Sequence, residues 1–550
     1  VSTIHYDQRI RLYVPDTVRP LNKGYGEAGA SKKKRALKGF TSQSGSPRED
    51  IDLHNATMRQ RGRMMYMGAP IATSAINTNR TNVIGLGLVL QSQIDREVLG
   101  MTQDAAEAWQ KKTEREFALW AENKNACDAT GVNDFYAMQQ VALISWLASG
   151  DVLGVFKQYD PTFMEPYSLR LHLIEVDRVA TPSTGGYIGL STTTGRAKNG
   201  NRIFDGVEVD ENGRIVAYHI RNAHSFEITG GMPAWARVEA YGELTGLPNM
   251  IHIMNTERPE QYRGVSYLAQ VIEPLLQLRR YTESELMAAV VESFFTAFIK
   301  TETDKGEGKN PFNETGQAHS PMLPAYMRDP NDFSMGPGQT VILGTNETVE
   351  FGDPKRPANG FPTFTRAISE QIGAALELPA DLLLKSFNSS YSASRAALLE
   401  AWKAFKMRRE WFVGDFCRPV YSVWMAEAVA RGRIQAPGFF TSPELRAAYL
   451  GSEWIGPSQG QLDPVKEITA ELLACSVGFS TYSQSTTKLN GSQWAANIEQ
   501  LRSENEKLAA VAGSEGTGAD PKLAAALSQM LVKYLTEGDD NDYQRRDPHS

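Results

Sequence analysis

The sequence predicts an α+β fold, and three observations carry that prediction. Short strand-like segments gather between Leu169 and Ile253, long helix-like segments flank them on both sides, and at 550 residues the chain exceeds what one small core supports. At about 150 residues per domain, three or four structural regions are expected.

The composition bounds what such a fold can do. With 41% hydrophobic and 22% charged residues, and 9 Trp, 20 Tyr and 22 Phe to fill cores, the chain reads as folded. Its net charge of −7 lacks the basic excess of a nucleic-acid binder, so any DNA contact has to be local. Three widely spaced cysteines, Cys127, Cys417 and Cys475, fit core thiols in a reducing compartment rather than a disulfide framework. The longest apolar stretch, 287–299, contains Glu292 and Ser293 and is shorter than the roughly 20 residues that cross a bilayer. No membrane partner is expected, and the first residues, VSTIHYDQRIRLY, carry no apolar signal-peptide core, so cytoplasmic synthesis is the default expectation.

Residues 1–49 mix Gly and Ser with the run Lys32, Lys33, Lys34, Arg35 and read as an irregular, solvated arm. The segment 50–80 looks helical around an internal Pro70, and VIGLGLVLQSQ after it alternates like a strand. Helices over 102–122 and 132–148 lead to GDVLGVFKQY, which reads as a turn and a strand. Between Leu169 and Ile253, LRLHLIEV, GVEVD, RIVAYHIRN and MIHIM form a compact sheet region, with Glu211-Asn212-Gly213 as a hairpin signal.

A helical run then extends from about Ser266 to Lys300, kinked or restarted at Pro274, the part beyond the proline being roughly 40 Å long. Leu286, Val290, Phe294 and Phe298 repeat every four residues and Met287, Val291 and Phe295 form a second row, so this helix should be covered on most sides. Residues 301–357 are rich in Gly, Pro and Asn but include the strand-like QTVILG and ETVEFG, a small β-rich module inserted between helices. The chain returns as a helix over 362–376, passes the Ser/Asn-rich loop KSFNSSYSAS, and enters a long helix from about Arg395 into the 420s. The remainder to about Leu508 is mostly helical, with SEWIGPSQGQ as an ordered turn. Beyond Gly513 the chain turns Gly-rich, then weakly helical, then acidic, with its last 15 residues or so expected to be disordered.

Enzyme signatures are missing. No GxxxxGK[ST] phosphate loop, HExxH pair, zinc-spaced cysteines or GxSxG elbow occurs, and paired carboxylates such as Asp50 with Asp52 read as solvated faces, so neither catalysis nor a cofactor or metal is expected. Two segments could touch DNA. Lys385, Asn388, Ser389, Ser390, Tyr391 and Ser392 are small or polar groups able to meet phosphate without base preference, although Ser392 or Ser394 could equally cap the next helix. On that helix Arg395, Lys403, Lys406 and Arg409 share an arc of about 120° with Trp402, a candidate basic stripe or simply a solvated face.

Three phrases resemble the lambda-type portal protein family of tailed bacteriophages, in the family's order: RGVSYLAQVIEPLLQL, LELPADLLLKSFNSSYSASRAALLEAWKAFKMRR and SEWIGPSQGQLDPVKE. The resemblance spans about 50–508 and is strongest over 262–300 and 376–480. The arm, the 180–245 sheet and the tail past 513 show no family phrase. What it implies is a portal fold with a mixed α/β wing (50–270), a stem helix (271–300) returning over 358–383, a β-rich clip (301–357), a tunnel loop (384–394), a long channel helix (395–417), a helical crown (418–512) and a flexible tail (513–550). It also implies a twelve-subunit ring at one capsid vertex of the virion, with double-stranded DNA in the channel. Terminase large subunit would dock at the clip during packaging, head-tail connector or adaptor proteins would follow it, and major capsid or scaffold protein would surround the ring. On that expectation Leu286, Val290, Phe294 and Phe298 pack against neighbouring subunits, which agrees with the reading from periodicity: heterologous contacts can close a ring, and one copy alone would leave much apolar surface bare. The rival readings are a packaging enzyme, which would need the missing phosphate loop, and a minor head or scaffold-like protein without a channel.

Overall fold

The computed structural model describes residues 30, 34–40, 44–182, 194–224, 234–293, 297–301, 347–351, 360–387, 390–460 and 464–514. Asn388, Ser389, Phe294, the strand-like QTVILG and the tail after 514 lie outside them.

The first described helices, α1 (Leu53–Gly68) and α2 (Pro70–Asn79), are separated by Ala69, with Pro70 at the first helical position of α2. A proline there loses no hydrogen bond and its fixed φ suits a helix start, so the residue that looked internal to one helix begins another. A π-turn over Arg80–Ile84 ends at Gly85. Positive φ at Gly85 and Gly87 confines the following strand, β1, to Val89–Ser92, much shorter than the 83–93 expected. Its partner is Ser452–Ile455, far along the chain. Helix α3 (Gln103–Ala121) is capped by Thr102, α4 is Lys124–Cys127, and α5 (Phe135–Ser149) is capped by Asp134 and stopped by left-handed Gly150.

The β region forms two sheets rather than one. Strands β2 (Asp151–Gln158) and β3 (Leu169–Ile174) pair antiparallel. A five-stranded antiparallel meander follows: β4 (Thr194–Arg196), β5 (Arg202–Phe204), β6 (Val207–Val209), β7 (Ile215–Arg221) and β8 (Trp235–Glu239). Strand β9 (Met250–Met254) then returns to the free edge of β2. The hairpin expected at Glu211-Asn212-Gly213 joins β6 to β7. There the Asp210 carboxylate accepts the N–H groups of Asn212 and Arg214, each at 2.9 Å, and Gly213 takes the positive φ the turn requires.

Helix α6 (Ile272–Ser293) holds Pro274 in its first turn, where no backbone donor is lost, so the proline starts the helix and does not kink it. The helix ends sooner than its four-residue period suggests. Phe298 lies in β10 (Ala297–Thr301), opposite Glu350 of β11 (Glu347–Phe351), so the row from Leu286 to Phe298 is not one helical face. Aromatic and β-branched residues in AFIKT, with ETVEF available as a partner, favour the ladder over the period.

The chain continues through α7 (Phe361–Ala375), α8 (Ala380–Leu384) and α9 (Tyr391–Phe412). From α9 it runs through a π-turn at Val413–Cys417 into α10 (Arg418–Ala430), giving the expected long helix into the 420s but starting four residues earlier. After α11 (Pro443–Leu450) comes β12 (Ser452–Ile455), so SEWI is a strand completing the β1 ladder and not a turn. Helices α12 (Pro464–Ser476), α13 (Tyr482–Asn490) and α14 (Trp494–Ser514) end the described chain.

Two cores result. The larger gathers aromatic rings from α3, α5, α9, α10 and β12, with Phe117 set edge-on to Phe135, Tyr421, Trp424 and Trp454. The smaller lies beneath the five-stranded sheet, around Val176, Val179, Val207, Val209 and Tyr218. Arg263, fully buried, stands between them. Its Nε donates to Asp151 at 2.6 Å, its Nη atoms donate to the carbonyls of Val179 (3.0 Å), Val176 (3.2 Å) and Asp205, and it lies 2.9 Å from the Asp205 carboxylate. Arg59 of α1 bridges Asp177 (3.0 Å) and Asp205 (3.1 Å) from the other side. Burial alone would raise the Asp151 carboxyl, but Arg263, His252 and Arg59 hold it well below the usual carboxylate range. Gly264 is obligatory beside it, since a Cβ there would sit 1.9 Å from the Gly150 carbonyl oxygen. Asn55 donates to the Gly264 carbonyl at 2.8 Å and Ser266 to that of Ala148 at 2.8 Å.

Replacing Arg263 by Met leaves Asp151 and Asp205 without their shared cation, so Arg263→Met should lower unfolding free energy by about 3–5 kcal/mol in chemical denaturation. Unchanged stability would remove Arg263 from this role. Buried Asp52 titrates in the opposite sense: desolvation, then the charge of Asp205, pushes its carboxyl from 3.8 up to about 6 against the pull of Arg263, Arg48 and Arg59. A carboxyl raised in the folded state supplies stability that is complete below its unfolded pKa and is lost as pH rises through about 6. Asp52→Asn should therefore be more thermostable than the parent at pH 8, by up to about 3 kcal/mol, with the difference vanishing below about pH 4. Melting curves across that range provide the check.

Candidate channel loop and assembly surfaces

The loop between α8 and α9 is an exposed crossing held between two fixed supports. Lys385 closes α8 in the left-handed conformation, at φ 53°, and the Ser386 N–H donates to the Asp381 carbonyl at 3.0 Å. Lys385 itself is exposed, as is Phe387. Ser390 is the residue before α9 and its side chain makes no capping bond. Tyr391 and Ser392 belong to the first turn of α9, so the loop ends at Ser390 rather than 394, and neither Ser392 nor Ser394 is the cap. Extending the loop to 394 put weight on serine content, whereas four of the next seven residues after Tyr391 are Ala or Leu, which favour helix.

Arg408 of α9 supplies the clamp. Its guanidinium donates to Asn79 Oδ1 (3.0 Å), the Leu376 carbonyl (3.5 Å) and Glu377 (2.5 Å), and stacks over Tyr267 with its centre 4.9 Å from the ring. Tyr267 in turn donates to the same Leu376 carbonyl, and Ser74 of α2 donates to the Leu383 carbonyl at 2.7 Å. The segment before the loop and the helix after it are thereby tied to α2 and to Tyr267 in the segment that precedes α6. Nothing in KMRRE distinguishes Arg408 from its neighbour, so sequence reading missed it; the weak signal is its seven-residue spacing from Ala401 on the core side of α9.

The basic stripe divides. Lys403 and Lys406 are exposed, the former 2.6 Å from Glu400, and Arg395 lies 3.5 Å from Glu467 of α12. Arg409 is a structural residue instead: it donates to the carbonyls of Val83 (2.9 Å), Asn82 (2.7 Å) and Pro457 (2.8 Å), and packs on buried Trp402. Burial pulls its guanidinium down to about 10. The arc that joined these four residues runs over the edge of the surface α9 buries, so its Trp402–Arg409 side faces protein and its Lys403–Lys406 side faces solvent.

On α6, Leu286 and Val290 are exposed, the former at 66%, beside exposed Met287. Tyr281 holds α6 to α7 through Phe361 and Phe364, with ring centroids 5.4 and 5.1 Å apart. The far half of α6 therefore carries exposed apolar residues, Leu286 and Met287 foremost, and Phe298 does not extend that face. Among the described residues no group of three or more His, Cys, Asp or Glu could hold a metal ion, and no helix is long and apolar enough to cross a membrane.

Comparison with known proteins gives a consistent result. The portal protein B of Escherichia phage lambda is 22% identical over 493 residues, 86% of each chain. The portal protein of Escherichia phage N15 is 23% identical over 484 residues, 85% of this chain and 86% of that one. Among solved structures, a chain in the virion of a native gene transfer agent particle has 14% identity and a TM-score of 0.40, covering 79% of this chain and 92% of that one. The family described as phage portal protein, lambda family, matches residues 33–409, well over half of the sequence. With its three phrases inside or beside that span, this chain belongs to the lambda family of phage portal proteins.

Proposed function

We propose that copies of this chain assemble into the ring that forms the DNA channel at one capsid vertex, with the α8–α9 loop facing the duplex. The observation that carries the placement is the exposed Lys385 and Phe387 on a short loop whose two supports are locked by Arg408. A wall that DNA slides past has to be positioned by rigid elements and present few strong contacts. The exposed Leu286 and Met287 of α6 suit burial against the next subunit, since a heterologous contact repeated around an axis closes a ring. In this reading the ring has about twelve members, the 301–357 segment receives the terminase large subunit, connector or adaptor proteins replace it after packaging, and major capsid or scaffold protein meets the outer surface. DNA would leave by the same channel on ejection, and the assembled protein would sit in the virion after assembly in the host cytoplasm.

Electron microscopy of the purified full chain should show rings with a central hole; a uniform population of monomers overturns the proposal. Within rings, Lys385→Ala combined with Ser389→Ala should leave assembly intact while changing packaging efficiency or retention of packaged DNA, and parent-like packaging by the double variant removes the loop from DNA contact. Arg409 behaves differently from its helical neighbours. Arg409→Gln should cost about 2–4 kcal/mol in stability by stranding three carbonyls, while Lys406→Ala should leave stability within about 0.5 kcal/mol of the parent. Equal melting temperatures for the two variants would contradict this division of the stripe.

A further inference from the structure

Helices α12 and α13 meet the rest of the chain along a seam that is polar and open. Among the described residues, α12 buries no side chain and α13 buries only that of Ser485. Ties from the terminal helices to the body include Arg395–Glu467 (3.5 Å), the exposed Lys111–Glu499 pair (2.9 Å) and the Ser458 hydroxyl, which donates to the Leu489 carbonyl at 3.5 Å. Elements held by so little buried surface open at low free-energy cost.

A cleft of about 420 Å³ lies in this seam, a size that suits a small ligand. Lys406 and Arg409 of α9 and Arg418 of α10 line it from the body, and Ser483, Thr487 and Lys488 line it from α13. The charges on its wall do not cancel. Arg418 is matched by Glu410 at 2.6 Å and Lys488 by Glu471, but among the described residues neither Lys406 nor Arg409 makes an ion pair. Arg409 commits Nε and Nη2 to the carbonyls of Val83, Asn82 and Pro457, which leaves both hydrogens of Nη1 without an acceptor in the described chain. Burial pulls this guanidinium down, and no carboxylate offsets that. A half-buried cation without a counter-ion is costly, and an anion is what completes it. Against these two unmatched cations the wall sets one unmatched carboxylate, the exposed Glu453.

Helix α13 adds donors to the same space. A capping box between Thr481 and Gln484 fixes its start, and Ser483 in the first turn brings a backbone N–H with no intrahelical acceptor together with a hydroxyl that bonds to no described residue. Thr487 follows one turn later on the same face. Trp454 of β12 is also on the wall, and its buried indole N–H has no acceptor among the described residues. Guanidinium, ammonium, hydroxyl and backbone N–H are together the set of donors that holds a phosphate group. A duplex, whose two grooves alone are about 12 and 6 Å wide, does not enter so small a space.

We propose that this cleft binds a small phosphate-bearing anion, inorganic phosphate or a mononucleotide, which bridges Arg409 and Lys406 to the first turn of α13. The bound anion clamps the terminal helices onto the body, because a ligand that needs both walls stabilises the closed seam by mass action. The clamp belongs to each chain by itself and does not rest on the channel reading, on which ring formation reports separately.

Isothermal titration of the full chain with inorganic phosphate, in phosphate-free buffer, provides the test, with a deoxynucleoside monophosphate and a short duplex as parallel titrants. Phosphate should bind with a Kd below about 1 mM, and no binding up to about 10 mM overturns the proposal. Lys406→Glu and Ser483→Glu set a carboxylate on opposite walls and should each weaken binding by about tenfold or more. Both residues are exposed, so the variants should fold like the parent. Lys112→Glu, the same charge change on the exposed surface of α3, should alter binding by less than about twofold. Equal weakening by all three variants reduces the effect to overall charge and overturns the site. A mononucleotide that binds tighter than phosphate names the nucleotide as the source, and equal affinity names free phosphate. Tighter binding of the duplex, weakened by the same variants, overturns the small-anion assignment. Hydrogen exchange reads the clamp: phosphate should slow exchange over Tyr482–Asn490 in the parent and not in Lys406→Glu. Unchanged exchange in a parent that binds phosphate overturns the clamp.

Discussion

A guanidinium with no exposure to solvent, flanked by two carboxylates and three backbone carbonyls, is the constraint on which the arrangement of the N-terminal half depends. Arg263 reaches Asp151 at the start of β2, the Val176–Val179 turn, and Asp205 between β5 and β6. Those elements belong to different sheets and different cores. An ion network buried this deeply is not by itself a source of stability, because desolvating the charges costs several kcal/mol per ion. Its effect is to make one arrangement far cheaper than the alternatives. Any displacement of the five-stranded sheet relative to α1 strands either Arg263 or Arg59 from Asp205, and the free energy rises steeply with the movement. Gly264 and Gly150 make the same point by contact: the two segments touch backbone to backbone, leaving no space for a side chain.

A second set of arginines extends this logic across the molecule. Arg408 and Arg409, adjacent on α9, point to different partners: one holds the Leu376–Glu377 corner before the loop, the other draws together the carbonyls of residues 82–83 and 457. Planar guanidinium groups with several fixed donors can satisfy carbonyls at segment ends, a task that an ammonium group performs poorly. Basic residues are thus spent in the interior, and an acidic chain has fewer left for its surface than its Lys and Arg count suggests.

Much of the fold was legible in the sequence where periodicity ran long and ends were marked. Helix α3 begins and ends within a residue of its expected bounds because Thr102 caps it, and the Asp210–Arg214 hairpin follows from its turn chemistry. The failures share a cause, which is that partners distant in sequence decided the outcome. Ala297–Thr301 continues a helical period yet pairs with Glu347–Phe351, and SEWI is a strand only because Val89–Ser92 lies beside it. The same holds for the site. Lys385 and the exposed lysines of α9 could be found from loop composition and a helical wheel, but a wheel cannot tell that Arg409 lies under residues 82–83 and 457. Arg263 and Gly264 were visible as a recurring phrase whose physical purpose, burial between two cores, appears only when Asp151 and Asp205 are brought alongside.

The distribution of charge that remains at the surface bears on the proposed channel. Duplex DNA holds a dense array of phosphates, and every lysine that neutralises one releases counterions and adds to the free energy of residence at that position. In a ring, each lysine of the chain recurs once per subunit, so even a single loop lysine such as Lys385 becomes a belt of positive charge. A loop with several lysines would bind the duplex tightly at each register and oppose its movement. With the loop facing the duplex as proposed, one lysine among hydroxyl and amide side chains, with Lys403 drawn toward Glu400 and Arg409 turned inward, would keep attraction shallow. In that proposed arrangement the net charge of −7 per chain would add a weak repulsion favouring DNA along the axis over DNA against the wall. The interior use of arginine and the sparse basic surface are then two sides of one requirement: supports must be rigid, and the surface they carry must let the duplex go.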